Sequence, residues 1–352
     1  MAFAKMSNLA TTLLEMDTVL TPDSVEWCPM DSARPLIALG TYQLDEATRE
    51  RRGSLSLYQY AYGEVALTQV AQNKTDDIKN GILDMKWRGD GVCLALAGSD
   101  GTVSLLRVSQ TPHSIDVEVL QRAELAGSPE QSPLCLSLDW SKSTEKDIAV
   151  SDSKGQLSLV KLSEAEGTVS RQWSAHSYEA WIVAFGWYEP WTLYSGGDDS
   201  RLCVWDCRTP CSRPTLVSKR HTMGVCSLQS HPTKGHLLAS GSYDETLLLW
   251  DTRSMTTPLK EAHLGGGIWR IKWNTEHSDL LATACMHNGF QLVHCHLDSS
   301  TEPEVVCEYQ QHKSLAYGID WTPLHSGSDV LTLASCSFYD HSMHVWSASC
   351  IT

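Results

Sequence analysis

LLASGSYDETLLLWDTR, residues 237–253, reads as strand, tight turn, strand. Leu237 to Ser240 is a short apolar run, Gly241 to Asp244 carries turn chemistry, and Thr246 to Trp250 is a second apolar run closed by Trp-Asp. A near copy lies upstream: Tyr194-Ser195-Gly196-Gly197-Asp198-Asp199, followed by Leu202-Cys203-Val204-Trp205-Asp206-Cys207-Arg208. The two tryptophans are 45 residues apart. Self-similarity at about 40–45 residues with a terminal Trp-Asp is the mark of a β-propeller blade, a four-stranded unit repeated around a ring.

The same unit recurs along nearly the whole chain. Alternating apolar residues leading to a Trp mark first strands at Val25-Glu26-Trp27, Ile82 to Trp87, Leu136 to Trp140, Ile182 to Trp187, Ile268 to Trp273 and Tyr317 to Trp321. Val225 to His231 fills the remaining interval without a Trp. The reading is an all-β, seven-bladed propeller occupying residues 1–352 as one domain, with blades starting near 25, 82, 135, 181, 225, 268 and 316. After Val345-Trp346 only six residues remain, too few for another strand. Thr12 to Val19, within residues 1–20, is the expected donor of the missing strand in the last blade, which closes the ring and removes open edges. Leu44 to Arg52 and Leu125 to Ser132 read as surface loops.

Composition narrows the function classes. Lys and Arg number 27 against 42 Asp and Glu, a formal charge of -15. Such a surface repels nucleic acid and anionic membrane, so neither is an expected partner. No run approaches the roughly 18 apolar residues of a membrane span. The start, MAFAKMSNLATTLLEMDTVL, is a poor secretory signal. The 12 Cys are scattered without a Cys-x-x-Cys pair, and several fall inside strands. Reduced, core-filling thiols of the cytosol or nucleus are expected, with the cytoplasm as the location.

With these repeats on the page, the chain resembles the WD-repeat propellers. In that family a His before the first strand, a Ser or Thr on the second, an Asp in the next turn and a Trp on the third form a buried network. The matching sets here are His176, Ser195, Asp199 and Trp205; His221, Ser240, Asp244 and Trp250; and His312, Ser335, Asp340 and Trp346. These residues are expected to hold the fold, not to form catalytic triads. The family's working face is made of the turns between second and third strands, from Tyr42 onward to Ser337–Ser342, and of the connections between blades. Those connections include Asp76-Asp77, His176 to Trp181 and His263 to Arg270.

Blade six breaks the pattern. His287 stands where Asp244 stands in blade five, and Val293 replaces the Trp. An imidazole released from a structural network suits acid–base work near neutral pH. Just before this blade, Gly265-Gly266-Gly267 offers backbone N–H groups for an anion or an oxyanion. Trp269, Tyr317, Phe338 and Tyr339 fall near the same face and could cage a quaternary ammonium. His287, Asp340 and Asp198 are the candidate catalytic residues. Gly265, Gly266, Gly267, Trp269, Arg270, Tyr317, Phe338, Tyr339 and His341 are the candidate substrate-binding residues.

A closer resemblance covers residues 176–346. Gly241-Ser242-Tyr243-Asp244-Glu245, Gly265-Gly266-Gly267-Ile268-Trp269-Arg270, Cys285-Met286-His287-Asn288-Gly289-Phe290 and Cys336-Ser337-Phe338-Tyr339-Asp340-His341 are similar to strings of the diphthine methyltransferase family of WD-repeat proteins. Despite the name, the resemblance implies a methylesterase. It would remove the methyl ester of diphthine on the modified histidine of elongation factor 2, before amidation to diphthamide. Diphthine carries a trimethylammonium, which fits aromatics and acids. No catalytic residue is carried over from the family. The chain has no Gly-x-Ser-x-Gly elbow, no Cys/His metal spacing and no Gly-rich cofactor loop, so neither cofactor nor metal is expected. The alternative is a non-catalytic adaptor. Trp205-Asp206-Cys207-Arg208 and Trp250-Asp251-Thr252-Arg253 resemble the motif of propellers that serve cullin-type ubiquitin ligases as substrate receptors, contacting them through Arg208 and Arg253.

Overall fold

In the computed structural model, residues 10–349 are described except 31, 33, 62–65, 73–79, 112–113, 127–131, 164–166 and 324–329. The Asp76-Asp77 connection and most of the loop expected at Leu125 to Ser132 lie outside the described residues. Among the described residues there is no helix, and seven four-stranded antiparallel sheets account for the molecule apart from one short ribbon. Blade 5 shows the unit: Val225–Ser230, Leu237–Ser242, Thr246–Asp251 and Lys260–His263, each pairing with the next. The ribbon pairs Gln43–Leu44 with Arg51–Arg52, so the segment read as a plain loop is a small hairpin in blade 1.

First strands stand innermost and touch one another around the axis, with Pro22–Trp27 of blade 1 against Ala316–Trp321 of blade 7 completing the circle. The fourth strand of blade 7 is Ala10–Asp17, which pairs along Ser342–Ser349. It ends two residues before the expected Val19. Val19 takes a φ of 66° and its N–H donates to Asp17 Oδ1 at 2.7 Å, a turn that stops the ladder. Leu13, Leu14 and Met16 of this strand pack on the seam cluster containing Tyr58, Tyr60, Met343 and Val345.

Adjacent blades are joined by repeated polar latches. The inner-strand tryptophans of blades 2, 3, 6 and 7 donate their indole N–H to the preceding blade: Trp87 to Glu26 O, Trp140 to Lys86 O, Trp273 to Gln229 O and Trp321 to Lys272 O. Blade 4 differs from the sequence reading. Its inner strand is Ile182–Phe185, and Trp187 lies beyond it under the Lys142 ammonium.

The family networks form fully in blades 4 and 5. His176 bridges Asp199 and Ser195 at 2.8 Å each, and Trp205 donates to Ser195 at 2.9 Å. His221, Asp244, Ser240 and Trp250 repeat this. Blade 7 does not. Its hairpin is one residue longer, with Ser335 facing His344 where Ser240 faces Leu248. That length carries Asp340 to 4.0 Å from His312, and Ser342 takes its place at 2.7 Å. Burial, with His344 stacked at 3.7 Å, pushes His312 down to about 3, so it is a neutral fold element. Trp250→Phe removes one indole donor to the buried Ser240. It is expected to lower stability by about 0.5–1.5 kcal/mol. Denaturant melts of the two proteins measure this, and an unchanged midpoint would contradict the structural role.

Candidate active site

The site begins with a repeated irregularity of the inner strands. In five blades the ladder skips one residue: Asp23, Leu83, Leu136, Cys226 and Tyr317. In blades 4 and 6 the equivalent residues, Trp181 and Trp269, sit immediately before the ladder. A bulge re-aims a side chain out of the sheet. All seven of these side chains line one cavity of about 280 Å³ at the axis. Tyr243 and Phe338 from second-to-third strand turns, Glu179 from a connection, and Arg270 complete much of its wall.

One side of the cavity is a continuous aromatic wall across blades 4 to 7. Trp181 lies 5.5 Å from Trp269 and 6.4 Å from Tyr243. Trp269 lies 4.9 Å from Tyr317, which stacks on Phe338 at 4.6 Å. The pairs are edge-on, tilted and, for Tyr317 with Phe338, stacked, and all five rings are only partly buried. Asp198 accepts the Trp181 indole N–H at 3.0 Å and so fixes that ring. Asp23 faces the aromatic wall. Only 4% of it is exposed, and its carboxyl has no hydrogen-bond or ion-pair partner among the described residues. Burial pushes it up to about 8, against the pull of Arg270 and with the help of Asp84.

Below the cavity the channel is filled with buried charge. Asp84 holds Arg270 at 3.3 Å and Lys86 at 2.8 Å, and it accepts the Ser137 hydroxyl and the Leu138 N–H. Burial pushes Asp84 up, but Arg270 and Lys86 outweigh it and hold it at about 2. Glu26 bridges Lys86 at 2.8 Å and Lys272 at 2.7 Å, and Lys272 reaches Asp320 at 3.4 Å. Asp320 and Asp139 also accept the Trp27 and Phe185 N–H groups of the following blades. The charges therefore serve as inter-blade ties as well as a polar floor.

Among the described residues the cavity holds no activated covalent nucleophile. Burial pushes the Cys226 thiol well above its ordinary value, keeping it protonated. The Ser153 hydroxyl accepts the Leu134 N–H at 2.9 Å, and no histidine lines the cavity among the described residues.

A family model, the WD domain G-beta repeat, matches residues 212–251. A chain in the crystal structure of the mitotic checkpoint complex superposes with a TM-score of 0.71 at 18% identity, over 98% of this chain and 94% of that one, which shows the fold. The chain is 34% identical to a diphthine methyltransferase homolog of Dictyostelium discoideum, over 93% of this chain and 96% of that protein. It is 35% identical to the diphthine methyltransferase of Schizosaccharomyces pombe, over 88% and 90%. It is 40% identical to the human diphthine methyltransferase, over 88% of this chain and 74% of that protein. The chain belongs to the diphthine methyltransferase family.

In this family member the residues singled out by sequence divide into two groups. Trp269, Arg270, Tyr317 and Phe338 line the cavity. Tyr339 meets Phe338 edge-on but is 69% exposed. Gly265, Gly266 and Gly267 lead into Trp269 but are not among the cavity-lining residues, and none of their N–H groups has a partner among the described residues. Gly265 has a φ of 75°, and a Cβ on Gly266 would fall 2.2 Å from Cys285 O, so both positions require glycine.

His287, Asp198 and Asp340 are not among the cavity-lining residues. The turn carrying His287 packs on the glycine tract, but the residue is exposed and has no partner among the described residues to orient its ring. The cause is local. Leu264 occupies the position of the network histidine, and Asn288 and Gln291 donate to its carbonyl at 2.7 and 3.1 Å. Blade 6 has therefore replaced the whole network, which leaves His287 unconstrained. Asp198 is bound to the Trp181 indole, and Asp340 accepts the Lys313 N–H at 2.8 Å. His341 has a φ of 52°, and its carbonyl accepts both Thr18 donors, so it anchors the residue just after the N-terminal strand. Arg208 and Arg253 fork onto Asp206 and Asp251.

Sequence reasoning missed Asp23, Trp181, Tyr243 and Glu179. Trp181 and Tyr243 lie on the connection and turn already expected to form the working face. Asp23 carried one usable signal: it precedes the first-strand Trp27 by the same interval that separates Trp269 from Trp273 and Tyr317 from Trp321.

Proposed function

We propose that this chain hydrolyses the methyl ester of diphthine on elongation factor 2, in the route to diphthamide. The observation that carries the reading is the axial cavity, with an aromatic wall for a trimethylammonium and acids beside it, in a member of this family. Its volume of about 280 Å³ suits one modified side chain rather than a folded domain. Trp181, Trp269 and Tyr317 would hold the trimethylammonium, each ring contributing about 0.5–2 kcal/mol. Glu179 adds negative charge at the same wall. Arg270, in the cavity wall, supplies positive potential for a developing oxyanion. A protein substrate in the cytoplasm completes the proposal. Arg208 and Arg253 are each held by a fork onto Asp206 and Asp251, and no observation of the geometry favours the ligase-adaptor alternative.

The test is direct. Purified protein incubated with elongation factor 2 bearing methylated diphthine is expected to release methanol and remove one methyl ester. Absence of both, with folded protein, would refute the reading. A Trp181→Ala and Trp269→Ala double variant is expected to bind that substrate about 10-fold or more weaker. Full affinity in the folded variant would sink the cage.

A further inference from the structure

We propose that Asp23 is the general base, and then the general acid, of ester cleavage in this cavity. The assignment rests on the methylesterase reading above. The fold places one side chain per blade at the axial bulge, and six of the seven are Leu, Leu, Trp, Cys, Trp and Tyr. Blade 1 alone presents a carboxyl there. It is buried, has no hydrogen-bond or ion-pair partner among the described residues, and lines the cavity beside Arg270 and Tyr317. The carboxylates of the floor are committed: Asp84, Glu26 and Asp320 are each ion-paired and, in two cases, bonded to backbone N–H groups. Glu179, the other carboxyl lining the cavity, comes from a connection and is only half-buried, whereas Asp23 is buried. With no histidine and no activated thiol among the described residues that line the cavity, water is the nucleophile of this proposal.

The step balances without a co-reactant. The Asp23 carboxylate takes a proton from water as its oxygen bonds to the ester carbonyl carbon, and the carbonyl electron pair moves to oxygen beside Arg270. Collapse of the tetrahedral species breaks the carbon–methoxy bond. The proton on Asp23 passes to the methoxy oxygen, which leaves as methanol. The product carboxylate stays near Arg270, and the second water proton is released.

The groups facing Asp23 are Arg270, Asp84, Tyr317 and Cys336. Burial pushes Tyr317 and Cys336 upward, so both stay neutral below pH 9 and the field on Asp23 is set by Arg270 and Asp84. A carboxyl poised near 8 is a far stronger base than an exposed one, and it gives up its proton readily to a leaving alkoxide.

The experiment is a kcat and KM comparison of wild type, Asp23→Asn and Asp23→Glu on methylated elongation factor 2 between pH 6 and 9, with melting curves of each. Wild-type kcat/KM is expected to rise with pH toward about 8. Asp23→Asn should lower kcat about 10²–10⁴-fold with KM little changed. Asp23→Glu should retain measurable turnover with a displaced pH midpoint. Undiminished kcat in Asp23→Asn overturns the proposal while leaving the methylesterase reading intact. So does a raised KM with unchanged kcat, which would make Asp23 a counter-ion for the trimethylammonium. If Asp23→Asn does not fold, an unmoved pH midpoint in Asp23→Glu overturns it equally. Loss of turnover in His287→Ala with Asp23→Asn still active would return the base to His287 and overturn the assignment. Wild-type protein that releases no methanol removes the reading and this proposal with it.

Discussion

A chain lacking residues 1–17 is expected to lose its cooperative melting transition near that of the full protein and to associate. The strand Ala10–Asp17 supplies the outer edge of blade 7 along nearly all of Ser342–Ser349. Without it, that edge presents unpaired backbone groups, a template for other chains. Three apolar side chains, Leu13, Leu14 and Met16, leave the seam between blades 7 and 1. The Thr12 hydroxyl also leaves Tyr309, whose hydroxyl is bonded to the buried His344 at 2.7 Å. Apolar burial of about 1–2 kcal/mol per side chain, with the lost polar contacts, amounts to roughly 5 kcal/mol. That is comparable with the whole stability of many domains. Thermal melting and size-exclusion chromatography decide the matter. A monomeric truncated chain melting within a few degrees of wild type would show that the strand is dispensable.

The second large effect is expected at Glu26. Its carboxylate is the shared partner of two ammoniums, Lys86 and Lys272, and its side chain is 7% exposed. Glu26→Gln keeps the shape and removes the charge, leaving Lys272 with Asp320 and Lys86 with Asp84. Each ammonium then keeps one carboxylate where it had two, so the cost is a fraction of the roughly 3–5 kcal/mol of a fully uncompensated buried charge. The pH dependence carries a sign. Burial pushes Glu26 up, but Lys272 and Lys86 outweigh it and the net shift is below its ordinary 4.5. A depressed carboxylate stabilises the fold above its unfolded value, and that stability is lost as pH falls through the folded value. Glu26→Gln should therefore melt lower at pH 7 and show a shallower acid decline. Asp23 acts in the opposite sense. Raised from 3.8 to about 8, it favours the fold at low pH and costs stability as pH climbs between those values. A Glu26→Gln protein with wild-type melting at pH 7 would show that the bridge contributes nothing net.

Much of the architecture was legible in single strings. Ser-Gly-Ser-Tyr-Asp at 240–244 followed by Leu-Leu-Leu-Trp-Asp at 247–251 declares a hairpin, because turn residues and apolar runs act locally. Repetition of that hairpin yields the blade count, and the short tail after Trp346 points to a strand from the N-terminus. The aromatic side of the cavity was legible too, since Trp269, Tyr317 and Phe338 belong to the turns and strand starts that every blade presents to one face.

What stayed hidden depends on geometry that no local string encodes. The extra residue in the blade 7 hairpin moves Asp340 off His312 and leaves the pattern looking intact in sequence. The exposed His287 breaks a motif, but the chain does not say that Leu264, Asn288 and Gln291 have already rebuilt the blade without it. By itself the sequence determined the repeating hairpin, the ring it must close and the face on which that ring opens, because propensity, turn chemistry and alternation act over a few residues. Only the tertiary structure decided which side chains meet at the axis. Asp23 and Arg270, far apart in the chain, share one cavity because closing seven twisted sheets brings the start of every inner strand to the centre. Burial there turns an ordinary aspartate into the base of the proposed reaction.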